Sequence, residues 1–127
     1  MHVATLLVAN RAAVTDKGLL DIAGGGWEFV HMQSLPTPVS GWVAGLMQFE
    51  PEEVGNEFSI SMRSTNPQAL TMTGVVMNVR AARRLAPFAI PFAAVILAAG
   101  EQTIVLEHAS GPVGNVSFEA KLMASPQ

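Results

Sequence analysis

Cysteine and tyrosine are both absent from this chain of 127 residues, and only 13% of its residues are charged. Without cysteine there can be no disulfide, no thiolate metal ligand and no cysteine nucleophile. The same absence suits a reducing compartment, so a cytoplasmic location is the expectation. The scarcity of charge is the stronger signal, since soluble domains carry about 25% charged residues. Seven basic residues against ten acidic ones leave a net charge of −3, which offers nucleic acid no electrostatic footprint. Long apolar runs are missing as well. Val3 to Ala9 ends at Asn10-Arg11, and Phe88 to Ala99 is interrupted by Pro91; both fall short of the ~20 residues a membrane-spanning helix needs. Neither run has the basic start and small-residue cleavage site of a secretory signal. Nucleic acid and membrane are therefore both unexpected as partners.

What stands in place of charge is apolar, with hydrophobic residues making up 50% of the chain. A single domain of this size buries roughly two-thirds of its unfolded surface. So few charges cannot cover the remainder. Either the sheets are buried on both faces or part of the surface meets another subunit, and a homo-oligomer, most simply a dimer, is expected. Other protein partners are compatible with the same surface.

The pattern along the chain is that of short strands. Val3 to Val8, extending toward Val14, reads as a first strand, and Thr15-Asp16-Lys17-Gly18 as a turn with Gly18 at positive φ. Leu19 to Ala23 follows, then three consecutive glycines, then Trp27 to Met32. Three glycines in a row are entropically costly. A bend in one continuous strand, turning Trp27 inward, is the simplest reason for them. Simple alternation puts Trp27, Phe29 and His31 on one face of that strand. Leu35-Pro36-Thr37-Pro38 is an extended link suited to carrying the chain between sheets. Gly41 to Phe49 reads as a strand apolar on both sides. Glu50 to Asn56 reads as a turn or single helical turn, with proline first, acids next and glycine last. Glu57 to Ser64 alternates cleanly. Leu70 to Arg80 alternates too, and its expected partner is the strand before it. Ala81 to Ala86 suits a short helix ended by Pro87. Pro91 to Ala98, Thr103 to His108 and Val116 to Leu122 complete the strands, and Ser125-Pro126-Gln127 is an expected frayed end. Turns every 8–12 residues or so, with no βαβ alternation, predict one all-β domain. The expectation is an antiparallel sandwich of about seven to nine strands with at most one short helix.

Few residues suggest chemistry. The glycine run is not a phosphate loop, because a strand-like Trp27-Glu28-Phe29-Val30 follows it in place of a helix N-terminus. His2, His31 and His108 lack metal-ligand spacing. Glu50, Glu52 and Glu53 lie in a turn where acids face water. Asp21 stands inside a strand among apolar neighbours, where a structural hydrogen bond is the plainer reading and a ligand site with Trp27 and His31 the sharper one. Arg80, Arg83 and Arg84 form the one basic cluster. They could grip a phosphate or carboxylate, or serve as a solvated face or as subunit salt bridges. No Gly-x-Ser-x-Gly elbow occurs, so no catalytic residue, metal ligand or cofactor is predicted.

The segments "HVATLLVAN", "GLLDIAGGGWEFV", "PTPV" and "MQFEPEEVGNEFSISMR" resemble a bacterial domain-of-unknown-function family of small β-sandwich proteins. The likeness covers residues 3–63. Members share a "G-K-L-x-I-x-G-G-W" segment, a Pro-rich link and an acidic "E-P-E-E-x-G" turn. Asp16-Lys17-Gly18-Leu19-Leu20 stands here at the Gly-Lys-Leu position, and Ser64-Thr65-Asn66-Pro67 replaces a "D-E-D-G" turn. The resemblance implies an immunoglobulin-like sandwich and no activity. Three functional readings remain. The first is a non-enzymatic binding or assembly module acting through a sheet face or edge. The second is a small-ligand binder or hydrolase around Trp27, His31 and Asp21. The third is a structural subunit of a larger particle.

Overall fold

In a computed structural model that describes residues 1–73 and 75–123, the strands form two five-stranded sheets packed face to face. They are β1 (His2–Val14), β2 (Leu20–Gly25), β3 (Phe29–Met32), β4 (Thr37–Gln48), β5 (Glu57–Ser64), β6 (Leu70–Met72), β7 (Val75–Arg80), β8 (Leu85–Ile96), β9 (Gly100–His108) and β10 (Gly111–Leu122). The first sheet runs β2-β1-β4-β8-β6 and the second β3-β10-β9-β5-β7. The all-β sandwich is thus the fold, immunoglobulin-like in the broad sense of two sheets sharing one core. It has ten strands where seven to nine were expected. The only helix among the described residues is a 3₁₀ turn, Pro51–Glu53. Every pairing is antiparallel except β3 with β10, which is parallel.

The core lies between the sheets. Val8, Val43, Met47, Phe88 and Ile90 come from the first sheet, and Ile60, Ile104, Leu106 and Phe118 from the second. Burying side chains of this size stabilises by about 1.5–3 kcal/mol each. Alternation in β5 places Ile60 and Met62 inward, as its sequence predicts.

The chain departs from its sequence reading at three places. First, the glycine run does not bend one strand; it ends β2 in the first sheet and leads to β3 in the second. Gly24 and Gly26 hold φ of +61° and +80°, values that side chains with a Cβ resist. Gly26 and Trp27 then both donate their amides to the carbonyl of Val8, at 2.8 and 3.1 Å. Strand geometry resumes only at Phe29, so Trp27 escapes the alternation. It points between the sheets, while Phe29 and His31 are exposed. Second, Leu70 to Arg80 is not one strand. β6 pairs with β8, and only β7 pairs with β5. The continuous alternation of that stretch carries no mark of the change of sheet. Third, Ala81 to Arg84 is a bend and not a helix, and β8 starts at Leu85, well before Pro91. Pairing with β4 along its whole length overrides the local helix preference of the alanines. The expected frayed end, Ser125-Pro126-Gln127, lies outside the described residues.

The proline link does change sheets, from β3 to β4. The acidic turn also closes as predicted. Glu53 accepts the amide of Glu50 at 2.7 Å and the Met1 amino group at 2.8 Å. The ammonium, and after it the Glu50 amide, hold the Glu53 carboxyl below its ordinary value. A lowered carboxyl stabilises the fold above its unfolded-state pKa, and that contribution is lost as pH falls through the folded value. Glu53→Gln should therefore flatten the acid limb of a plot of urea midpoint against pH; an acid limb identical to the native one would show that the Glu53 carboxylate contributes nothing to stability.

A second prediction concerns the glycine run. A Cβ on Gly24 would strike the side-chain amide of Asn10, whose Oδ1 accepts the Trp27 indole N–H at 2.9 Å. A Cβ on Gly25 would crowd Ile22 Cγ2 at 2.7 Å, but Gly25 has no left-handed φ to strain. Gly24→Ala should cost about 1–3 kcal/mol, combining left-handed strain with the lost hydrogen bond, and should shift tryptophan emission. Gly25→Val should cost less. Urea titrations followed by fluorescence would reverse the ranking if the strain sat at Gly25.

Candidate functional site

The two outer faces of the sandwich differ. On the second sheet, β5, β9 and β10 carry Ser59, Ser61, Thr103, Ser117 and Glu119 outward, with Arg63 paired to Glu107 at 2.9 Å. On the first sheet, most of the residues alternating with the core are apolar, among them Leu7, Ala9, Trp42, Ala44, Leu46 and Ala89, with Thr5 and Ser40 as polar exceptions. Ala9 and Ala44 have no exposed surface even so, which means that something lies on this face.

The cover is the chain's own β1–β2 hairpin. Past Ala9, β1 has no pairing with β4 and keeps only β2. Both β1 and β2 touch β8, although β4 separates them in the sheet. The hairpin therefore leaves the plane of the sheet and crosses over β4 toward β8. Ala12 is buried by the crossing. The turn at the tip forms as the sequence predicts, with Gly18 at φ +73° and its amide on the Thr15 carbonyl at 2.9 Å. Arg83 ties it down, donating from Nη2 to the Gly18 carbonyl at 2.7 Å and from Nε to the Leu85 carbonyl at 2.9 Å.

Beneath the tip is an apolar groove of about 580 Å³. Its position follows from incomplete pairing. β6 covers β8 only from Ala94 to Ile96, and among the described residues β7 has no neighbour but β5. The stretch of β8 before Ala94 and the edge of β7 consequently face each other across a gap. Pro87 and Pro91 lie in that stretch and lack amide protons, which makes it a poor template for another strand. Trp42, Phe88 and Ala89 line the groove from the first sheet, Met77 from β7 and Ala12 from the hairpin. Arg80 and Arg83 are the charged residues in the lining, with no carboxylate among them.

Two of the residues singled out in the sequence, Arg80 and Arg83, thus meet at one site. Arg84 is exposed beside them, outside the lining, and its backbone carbonyl accepts the Phe49 amide at 2.7 Å. Among the described residues none of the three arginines pairs with a carboxylate. The other three candidates occupy separate surfaces. Asp21 is exposed on β2 opposite Ala13, in a shallow depression with Arg11 and Ile22. His31 is exposed on β3 opposite Lys121. Trp27 packs edge-on against Phe92 and Phe118, at ring-centroid distances of 6.1 and 5.8 Å. No group of three His, Asp or Glu side chains among the described residues is placed to hold a metal.

Sequence reasoning missed Trp42, Ala12 and Ala89. The signal was present in β4, whose two faces are both apolar and so require a cover on each side.

No family model matches the chain, and no curated protein does. Among solved structures, WR4, a C. elegans member of the MSP family, is similar at 10% identity and a TM-score of 0.43, over 75% of this chain and 92% of that one. A likeness so distant carries no argument about function. No helix among the described residues is long and apolar enough to cross a membrane.

The tether makes a direct prediction. Arg83→Ala should free the hairpin tip, speeding amide hydrogen exchange from Ala12 to Leu19. Global stability should change by less than about 1 kcal/mol, because the residue lies outside the core. Unchanged exchange at those amides would show that the Arg83 bond does not hold the roof.

Proposed function

We propose that this protein is a non-catalytic binding module whose ligand site is the groove between the open edges of β7 and β8, roofed by the β1–β2 hairpin. One observation carries the reading: an apolar cavity of about 580 Å³ lies where two strand edges lack a second neighbour. Ligand sites are typically concave, mostly apolar and about 300–1,000 Å³, with a few convergent polar groups. The groove has that size and character, and its arginines are the convergent groups. The depression at Asp21 lacks the aromatic floor, and His31 lines neither.

The uncharged fluorescent probe N-phenylnaphthylamine tests the site without calling on the arginines. The native protein should bind it saturably, with quenching of tryptophan emission. Ala89→Phe, which fills the groove from the outer face of β8, should abolish binding while leaving the unfolding free energy within about 1 kcal/mol of the native value. Equal binding by the filled and native proteins would refute the groove as the site.

A second reading, self-association, rests on the hairpin itself. Val14, Leu19 and Ile22 are 43%, 62% and 39% exposed, which gathers large apolar surface on one edge of the first sheet. A homodimer through this edge should dissociate on Leu19→Lys with Ile22→Lys. Sedimentation of the native chain as a monomer at all concentrations would remove this reading.

A further inference from the structure

The groove carries a charge that nothing in it balances. Arg83 spends Nε on the Leu85 carbonyl and Nη2 on the Gly18 carbonyl; both acceptors are neutral. A guanidinium has five N–H donors, so those on Nη1 and the second on Nη2 are left over. Arg80 stands in the same lining, also without a carboxylate partner among the described residues. Asp16, near the hairpin tip, and Glu57, which stands opposite Arg80 in the β5–β7 register without forming an ion pair, are not part of the lining. Two cations therefore border an apolar cavity, in a chain whose net charge is −3. Both side chains are exposed to solvent, so their hold on an anion comes from direct hydrogen bonds to it rather than from long-range attraction.

Resting on the groove as the binding site, we propose that its ligand is an amphipathic monocarboxylate: an apolar chain over Trp42 and Ala89, with its carboxylate between Arg80 and Arg83. The planar guanidinium matches a carboxylate in shape and offers paired donors to it. An extended peptide fits less well, because Pro87 and Pro91 strip donors from one wall and the hairpin overhangs the gap. The ligand also explains the position of the tether. Arg83 contacts the roof through Gly18 and borders the cavity, so an anion held by Arg83 lies directly beneath the segment that Arg83 secures.

Sodium octanoate, octanol and octyltrimethylammonium, titrated with detection by tryptophan fluorescence and amide chemical shifts, test the assignment. Octanoate should bind saturably, shift resonances from Ala12 to Gly18 and displace N-phenylnaphthylamine. Octanol should bind about tenfold more weakly, the cost of one missing charge-assisted hydrogen bond, and the ammonium weaker still. Arg80→Gln, which leaves the Arg83 tether in place, should reduce octanoate affinity about tenfold by the same reasoning and leave octanol unchanged. If octanoate and octanol bind equally while Ala89→Phe still excludes the neutral probe, the carboxylate assignment fails and the groove stands. If neither octanoate nor the neutral probe enters, both fail together.

Discussion

The fold depends on how the chain passes from one sheet to the other at Gly24–Glu28. The carbonyl of Val8 accepts two amides there, those of Gly26 and Trp27, and a carbonyl oxygen has the two lone pairs to do so. This fixes the direction in which Trp27 leaves the backbone. The indole then sits between Phe92 of β8 and Phe118 of β10, one from each sheet, with its N–H on Asn10. One side chain thereby registers both sheets against each other and anchors β1 just where β1 stops pairing with β4. The left-handed Gly24 and Gly26, both just before Trp27, supply the backbone conformations that the crossing needs. A Cβ on Gly41 would come within 2.8 Å of the Trp27 ring, so β4 too is shaped around this indole.

From that anchor the hairpin can only go outward. β1 is thirteen residues long, yet it pairs with β4 only as far as Ala9. Beyond Ala9 it pairs with β2 alone, and a two-stranded ribbon is marginally stable in water. Lying across the apolar face of the first sheet gives the ribbon a surface to bury. The same act buries Ala12 and roofs the groove, whose lining takes Ala12, Ala13, Val14 and Gly18 from the ribbon. The site is in this sense a by-product of covering a face that the sequence left without charge.

The strand content was legible because it depends on local alternation and turn chemistry. β5, the Thr15–Gly18 turn and the Pro51–Glu53 turn were each readable within a few residues. The crossings were not. In Leu70 to Arg80 the apolar alternation runs on while the chain changes sheets, and period alone says nothing about which neighbour a strand will find. The glycines announced that something unusual happens near Trp27, but a bend and a crossing make the same demand on φ. Of the site, the arginine cluster was legible as chemistry and only Arg80 and Arg83 reach the groove. Trp42 and Ala89 were hidden because an aromatic and an alanine on a strand look like core from either face.

The shortage of charge also acquires a more specific meaning. Read as composition, it called for a second subunit to cover an apolar surface. The fold meets part of that demand internally: the second sheet takes the polar residues on its outer face, and the hairpin covers much of the first. What stays uncovered includes the apolar edge of the hairpin and the open groove beneath its tip, along with scattered residues such as Val76 and Phe29 on the second sheet. An apolar sheet left bare would favour indiscriminate association. On the proposed reading, a sheet roofed by its own hairpin, with prolines along the remaining edge and two arginines at the opening, would admit a narrower set of partners. Selectivity of this kind comes from what the surface excludes as much as from what it attracts.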